Sequence, residues 1–366
     1  MDIEIGFHEE NWARVEAAWT AWWAGELERP LVMVEDLERL PGVSMGSIYE
    51  MGAPVCSFPL DTPADQLLDY YQVRLEARRS YGDAWPKWWP NLGPGIMAGF
   101  LSADLHTAED TVWFEPVEQM PIQDLQPAFD AENAWWQRTL EVTRLAVERW
   151  GDQVSVAHTD LGGNLDILAS LLTTERLLFD LHDHPEEVAR LAGRLTQLWL
   201  RYYDELYCLV ELAGRGTTPW AAIWSPARCY MLQSDFAYMI SPRMFERFVL
   251  PDIATCCAAL DHAFYHLDGK GQIPHLDMLL SLERLRGIQW IPGDGQPPPE
   301  EWLPLLQRIR DAGKLCQLYV TPEGARTITR ALGGRGFAFY IDQPMSRAVA
   351  EDYLQQIERD AKYARH

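Results

Sequence analysis

Short apolar runs alternate with longer amphipathic stretches from about residue 154 to the end of the chain. The apolar runs predict buried strands, and the amphipathic stretches between them predict helices. Several of these helices have clear start signals, such as Ser241-Pro242, where serine is the N-cap and proline takes the first helical position. The predicted strands are residues 154–158, 220–224, 263–267, 287–291, 315–320 and 336–341.

The first 150 residues follow this alternation less regularly. A helix is predicted at residues 9–27 and a buried strand at 31–35, and one further strand before residue 120 brings the total to eight. Strands that alternate with helices are parallel, and eight of them fit a closed barrel of ~250 residues. We therefore predict an α/β fold, a (β/α)8 TIM barrel, as a single domain over residues 1–366 with an N-terminal helical extension at 1–60. The alternative, an open doubly wound sheet, usually has a glycine-rich turn after its first strand, which residues 36–39 lack.

Composition excludes several classes of protein. Hydrophobic residues make up 48% of the 366 residues and charged residues 23%, an ordinary globular balance. The 54 acidic and 31 basic residues give a net charge of −23, which disfavours nucleic acid and acidic membranes as partners. No apolar run approaches the ~18 residues of a membrane span, and no secretory signal is visible. The six cysteines show no CxxC spacing, so we expect a reduced, cytoplasmic protein.

Polar side chains gather at the predicted strand ends, where the active site of a (β/α)8 barrel lies. His266 and Asp268 are two positions apart on one strand, so their side chains point to the same face. With Asp160 or Asp342 from another strand, they predict a site for zinc or another divalent ion. Two alternatives stay open: acid–base or binding use without a metal, and a His–Asp pair that only orients the loop.

The segment 159–166, TDLGGNLD, directly follows a predicted strand. Its two glycines allow a ligand to approach the main chain closely. Asp160, at the strand tip, is a predicted catalytic residue, and Asn164 is a predicted substrate contact. Asp166 either contacts the substrate or caps the following helix. Asp235 is either a general base or a cap of a later helical turn.

Tryptophans are concentrated at residues 82–110, which we predict to be an active-site loop. Aromatic faces attract methylated cations and stack on flat ligands. The alternatives are that this loop closes the barrel floor or forms a dimer contact. The other predicted substrate-binding residues are Trp85, Trp88, Trp89, Asn91, Trp224, Gln233 and Trp290.

Residues 240–251, ISPRMFERFVLP, resemble the helix that follows a middle strand in the uroporphyrinogen decarboxylase superfamily. The order of the Asp160 segment, the helix at Pro185, the His266 strand tip and the last strand is also similar, over about residues 150–360. The resemblance implies a (β/α)8 barrel. It further implies either decarboxylation of a uroporphyrinogen-like or smaller acid, or methyl transfer with a corrinoid-carrying partner protein.

The two branches of this superfamily differ in their characteristic residues. The decarboxylases have an arginine-rich motif after the first strand, and residues 34–37, VEDL, lack it. The methyltransferases bind zinc through His-x-Cys and a further cysteine, and the matching positions here are His266, Asp268 and Asp342. The resemblance therefore implies a metal site rich in oxygen.

We accordingly expect a methyl-transferring enzyme with a small substrate, in which Asp160 and Asp235 orient the substrate or exchange a proton. A decarboxylase is the second hypothesis. A non-catalytic barrel that binds a small ligand is the third, and a homodimer is a possible assembly.

Overall fold

The computed structural model of the chain describes residues 3–37, 52–108 and 111–364. The strands within them are β1 (Leu31–Leu37), β2 (Arg78–Gly82), β3 (Lys87–Trp88), β4 (Asp104–Thr107), β5 (Val112–Glu115), β6 (Ser155–Val156), β7 (Cys229–Leu232), β8 (His262–Asp268), β9 (Leu285–Ile291), β10 (Leu315–Val320) and β11 (Phe337–Ile341). The helices are α1 (Glu9–Trp23), α2 (Ala64–Glu76), α3 (Met97–Phe100), α4 (Ala134–Trp150), α5 (Asn164–Leu172), α6 (Thr174–Asp183), α7 (Pro185–Val210), α8 (Pro242–Phe248), α9 (Leu250–Ala259), α10 (Leu276–Leu280), α11 (Leu303–Asp311), α12 (Pro322–Leu332) and α13 (Arg347–Tyr363). None of these helices combines the length and the apolar character that a membrane crossing requires.

Eight strands form two parallel ladders. The larger ladder has the order β1-β11-β10-β9-β8-β7, and β3 pairs with β6 in the smaller one. Helices alternate with most of these strands, which confirms the predicted α/β fold of the (β/α)8 type. Within the described residues no ladder joins β1 to β3 or β6 to β7. Instead, β2 runs antiparallel along the free edge of β1, with Met33 opposite Gly82 and Leu37 opposite Arg78.

The predicted strand at 220–224 is wrong, and the barrel strand of this region is β7. The main chain at 217–225 turns back on itself, because Thr217 and Ser225 exchange two hydrogen bonds of 2.7 and 2.9 Å. The apolar run WAAIW is therefore buried in a turn, and burial alone does not require an extended chain. The residues that follow the C-terminal end of this barrel strand are therefore Gln233 to Asp235, and not the residues after Trp224.

We call the N-terminal ends of the parallel strands the floor and their C-terminal ends the mouth. Helix α1, part of the predicted N-terminal extension, closes the floor. Trp22 Nε1 donates to the main-chain oxygen of Phe337, the first residue of β11, at 3.1 Å. The Trp23 ring stacks on His262, the first residue of β8, with 4.0 Å between ring centres. Burial lowers the pKa of His262 to about 4, so a neutral ring takes part in this stack.

Candidate functional site

Three side chains from two neighbouring strands meet at the mouth. His266 and Asp268 lie at the end of β8, and His266 Nε2 is 4.0 Å from Asp268 Oδ2. Asp235 follows β7, which pairs with β8. One ligand atom from each of the three lies within 4.8 Å of the other two. An imidazole and two carboxylates so close together form a candidate cation site.

Asp342, the predicted third ligand, is not part of this group. It follows β11, which is three strands away from β8 in the ladder, whereas β7 is adjacent. Burial raises the pKa of Asp342, and the negative charge of Glu300 adds to this effect. The structure thus brings Asp235 rather than Asp342 to His266 and Asp268, because β7 is the direct neighbour of β8. The resemblance had implied Asp342, and the wrong strand at 220–224 concealed that Asp235 follows the neighbouring strand. Metal binding itself stays a prediction.

Asp160 lies on the chain segment that leaves β6 and is 4% exposed. Burial raises the pKa of Asp160 to about 7. The Gly162 main-chain N–H, which donates to Asp160 Oδ1 at 2.8 Å, opposes this rise, and the charge of Asp235 adds to it. Gln233 Nε2 also donates to the carboxylate, at 3.3 and 3.4 Å from its two oxygens. A carboxyl group that titrates near neutral pH is suited to exchanging a proton.

Asp166 supports the loop that carries Asp235. It lies in the first turn of α5, where its two carboxylate oxygens accept hydrogen bonds from the main-chain N–H groups of Asp235 at 3.1 Å and Phe236 at 2.7 Å. The N-cap of α5 is Gly163, so Asp166 does not have the predicted capping role. Burial and the nearby charge of Asp235 raise the pKa of Asp166. Its role in the fold is to hold the end of β7 against α5.

A cleft of about 200 Å³ opens beside Asp235. It lies between α5 and the β4–β5 hairpin, so apolar side chains of the hairpin face acidic side chains of the mouth. The residues that line it are Pro94, Gly95, Val112, Trp113, Phe114, Gly162, Asp166, Ile167, Ser170, Gln233 and Asp235.

Two tryptophans that were predicted to bind substrate belong to the floor. Trp224 Nε1 donates to the Arg215 main-chain oxygen at 2.8 Å, and the Trp224 main-chain oxygen accepts from Trp23 Nε1 at 2.9 Å. Trp85 packs edge-on against Trp19 of α1, with 5.2 Å between ring centres. The prediction of a shared aromatic wall is therefore corrected: Trp224 contacts the end of α1, at the opposite end of the strands from His266.

Two further tryptophans face the helices that surround the strands. Trp88 is fully buried against Trp150 of α4, and Trp290 is fully buried against Trp302. Their chain neighbours Lys87 and Gln289 point to the opposite face, as alternation along a strand requires. The predicted substrate contacts of Trp88 and Trp290 are thus replaced by packing in the core.

The remaining predicted contacts have roles within the fold. Asn164 Nδ2 donates to the Phe248 main-chain oxygen at 3.0 Å, which ties α5 to α8. Asn91 Oδ1 accepts from the Gly93 N–H at 2.9 Å and closes a turn. Trp89 is half-buried in the same loop. A substrate contact of Trp89 stays a prediction.

The interior of the barrel also contains a charged cluster that the sequence pattern did not predict. Glu35 of β1 forms ion pairs with Arg78 at 2.5 Å and with Lys87 at 3.2 Å, and it accepts a hydrogen bond from the Tyr340 hydroxyl at 2.5 Å. Burial alone would raise the pKa of Glu35, but the two positive charges outweigh burial and lower it. The available signal was the acidic pair Glu35-Asp36 directly after the apolar run LVMV. This cluster links β1, β2, β3 and β11.

The fold and the acidic mouth together define an α/β barrel with a candidate enzymatic site. A methyltransferase from Methanosarcina mazei has a similar structure: the TM-score is 0.61 at 11% identity, over 95% of this chain and 99% of the methyltransferase. A B12-independent methionine synthase from a Shewanella species also aligns, over 73% of this chain and 75% of its own, at 12% identity. Its TM-score of 0.34 does not establish a common fold. No family model and no curated protein matches the sequence.

Proposed function

We propose that this chain is a methyl-transferring enzyme of the uroporphyrinogen decarboxylase superfamily, with a divalent cation held by Asp235, His266 and Asp268. The observation that carries the proposal is the convergence of these three side chains at the mouth. The similarity of the whole fold to a methyltransferase supports the same conclusion.

The donor set fits a divalent ion. The two carboxylates of this group repel each other unless a proton or a metal ion lies between them, and the imidazole offers a further ligand atom within 4.8 Å. Nitrogen and oxygen ligands suit Zn²⁺ and several other divalent ions, whereas the described residues place no thiolate in this group. An ion bound here would supply positive charge to polarise a substrate atom or to favour its deprotonation.

The substrate that fits this mouth is small and neutral or cationic. The cleft beside Asp235 measures about 200 Å³ and combines apolar walls with two carboxylates. Asp160 and Asp268 add two further acids nearby. A substrate with several carboxylates would be repelled by them, and for this reason we rank decarboxylation of a uroporphyrinogen-like acid second.

A corrinoid is too large for this cleft, so in this proposal a partner protein brings it to the mouth. The chain's own residues have separate tasks. Asp166 holds the loop of Asp235, and the apolar side chains of the hairpin exclude water from the substrate. Asp160, whose pKa is raised to about 7, accepts or returns a proton.

The test combines metal analysis with a transfer assay. The purified protein is expected to contain or bind Zn²⁺ or Co²⁺, and to demethylate methylcobalamin when small thiols or amines are offered as acceptors. His266→Ala is expected to lose at least a hundredfold in rate and most of the bound metal. His182→Ala, which changes an exposed histidine on α6, is the matched control and should behave like the parent protein.

Unchanged metal content and rate in His266→Ala would contradict the proposal. Turnover of uroporphyrinogen under anaerobic conditions, without demethylation of methylcobalamin, would favour the decarboxylase instead.

A further inference from the structure

Two glutamines lie inside the barrel next to His266. Gln289 of β9 and Gln317 of β10 are both fully buried. The strand register places His266 opposite Gln289, and Gln289 opposite Gln317. Three polar side chains therefore form a row across three neighbouring strands and share one face of the sheet.

The hydrogen bond between the two glutamines has a defined direction. Gln289 Nε2 donates to Gln317 Oε1 at 2.5 Å, and Gln289 Oε1 is paired with His266 Nδ1. Gln289 also hydrogen-bonds with the Tyr319 hydroxyl. An amide nitrogen can only donate and an amide oxygen can only accept. Because the nitrogen of Gln289 donates to Gln317, its oxygen faces the imidazole, and a hydrogen bond to that oxygen requires the hydrogen on His266 Nδ1.

We propose that Gln289, oriented by Gln317, is a positioning residue that holds His266 in the Nδ1–H tautomer. In the neutral ring, Nε2 then has a free lone pair, and this is the atom 4.0 Å from Asp268. Without the bond to Gln289, the ring could place its hydrogen on Nε2 and block that atom. The inference rests on the proposed function, since it supplies the Nε2 lone pair that a metal ion or a proton would need.

The cost of burying these amides supports a positioning role. Buried amides are unfavourable unless they are hydrogen-bonded, and the interior of such barrels is normally filled by branched apolar side chains. Gln317 Nε2 is buried without a partner among the described residues, so the row is not a fully satisfied structural network. The hydrogen bond that this row does form at its end is the one with Gln289 that orients the imidazole of His266.

The direct test is the tautomer of His266 in the metal-free parent protein. Side-chain ¹⁵N NMR at a pH where the ring is neutral distinguishes protonated from unprotonated ring nitrogens, and the missing signal in His266→Gln assigns the resonance. A protonated Nδ1 and an unprotonated Nε2 are expected. The opposite tautomer, or an equal mixture, would overturn the inference without any further variant.

Variants provide a second readout. Gln289→Met removes the acceptor at nearly constant size and should shift the ring toward the Nε2–H tautomer and weaken Co²⁺ binding by about 10–100-fold. Gln289→Glu retains an acceptor and should preserve the tautomer. The matched control is Gln72→Met, which changes another buried glutamine, a residue of α2 that accepts a hydrogen bond from Trp150 of α4. It should leave both readouts unchanged.

These outcomes separate the two proposals. If the parent protein binds no Co²⁺ but shows the Nδ1–H tautomer, which Gln289→Met abolishes, the positioning role stands and the metal proposal fails. If Gln289→Met keeps the parent tautomer, the positioning role fails whatever the metal affinity.

Discussion

The floor and the mouth of this barrel are built from opposite kinds of side chain. At the floor, indole rings from α1 pack against the first residues of the strands, and their N–H groups donate to main-chain oxygens. At the mouth, carboxylates and an imidazole are held near one another, and burial and mutual repulsion raise the pKa of Asp160 and Asp235. The floor therefore stabilises the fold, whereas the mouth costs stability in order to hold a reactive group of side chains.

The strongest test of this difference is at the floor. Trp22 is 1% exposed, packs on Trp19 and Trp23, and bonds to β11. Trp22→Ala is expected to lower the free energy of unfolding by about 3–5 kcal/mol, because it leaves a large cavity. Denaturant titration measures this loss. Trp113→Ala, at a tryptophan that is 41% exposed, is the control and should change stability far less.

At the mouth, replacing Asp160 is expected to raise the free energy of unfolding rather than to lower it. Its pKa lies near 7 in the folded protein and near 4 in the unfolded chain. Between these values the folded state retains a proton that the unfolded state has released, so stability falls as the pH rises from about 4 to 7. Asp160→Asn should remove that fall and stabilise the protein by about 2 kcal/mol at pH 8, with loss of activity. Free energies of unfolding measured from pH 4 to 8 test this expectation. If Asp160→Asn is less stable than the parent protein at pH 8, the mouth does not cost stability as proposed.

A smaller gain in the free energy of unfolding is expected when a buried acid outside the mouth is replaced. Burial raises the pKa of Asp252 on α9 to about 6, although the Thr196 hydroxyl donates to it at 2.5 Å. Stability should therefore fall between about pH 4 and 6, and Asp252→Asn should recover about 1 kcal/mol at pH 8. Unlike Asp160→Asn, it should keep full activity. Asp152→Asn, at an exposed position, serves as the baseline for both variants.

The smallest change in stability is expected at Asp268. This side chain is 42% exposed, and its loss opens no cavity. Asp268→Asn should change the unfolding free energy of the metal-free protein by less than about 0.5 kcal/mol. Its affinity for Co²⁺ should nevertheless fall at least tenfold, measured by titration calorimetry. A large loss of stability with unchanged affinity would mean that Asp268 belongs to the scaffold.

The sequence was most informative where its signals are local. The strands after residue 260 contain mostly apolar residues, and helices of this half of the chain have N-caps such as Ser241 and Thr321, both of which accept the expected hydrogen bond. These patterns depend on neighbours in the chain, so they were sufficient to predict the alternation and the fold class.

The site was harder to predict because it depends on contacts between distant residues. The short strand β7 competed with the more apolar WAAIW run, and this error moved Asp235 away from His266. The ion pairs of Glu35 join positions 43 and 52 residues apart. Gln289 and Gln317 carried a weak signal, one amide among mostly apolar residues in each strand, which becomes meaningful only once the register is known.

The closure of the floor by α1 has a consequence for biosynthesis. Trp22 and its acceptor on β11 are 315 positions apart, and Trp23 and Trp224 are 201 apart. On the ribosome, the first helix is made long before the strands that cover its indole rings. The part of its apolar face that contacts these strands therefore stays uncovered until nearly the whole chain has emerged, and we expect the docking of this helix to be completed late in folding.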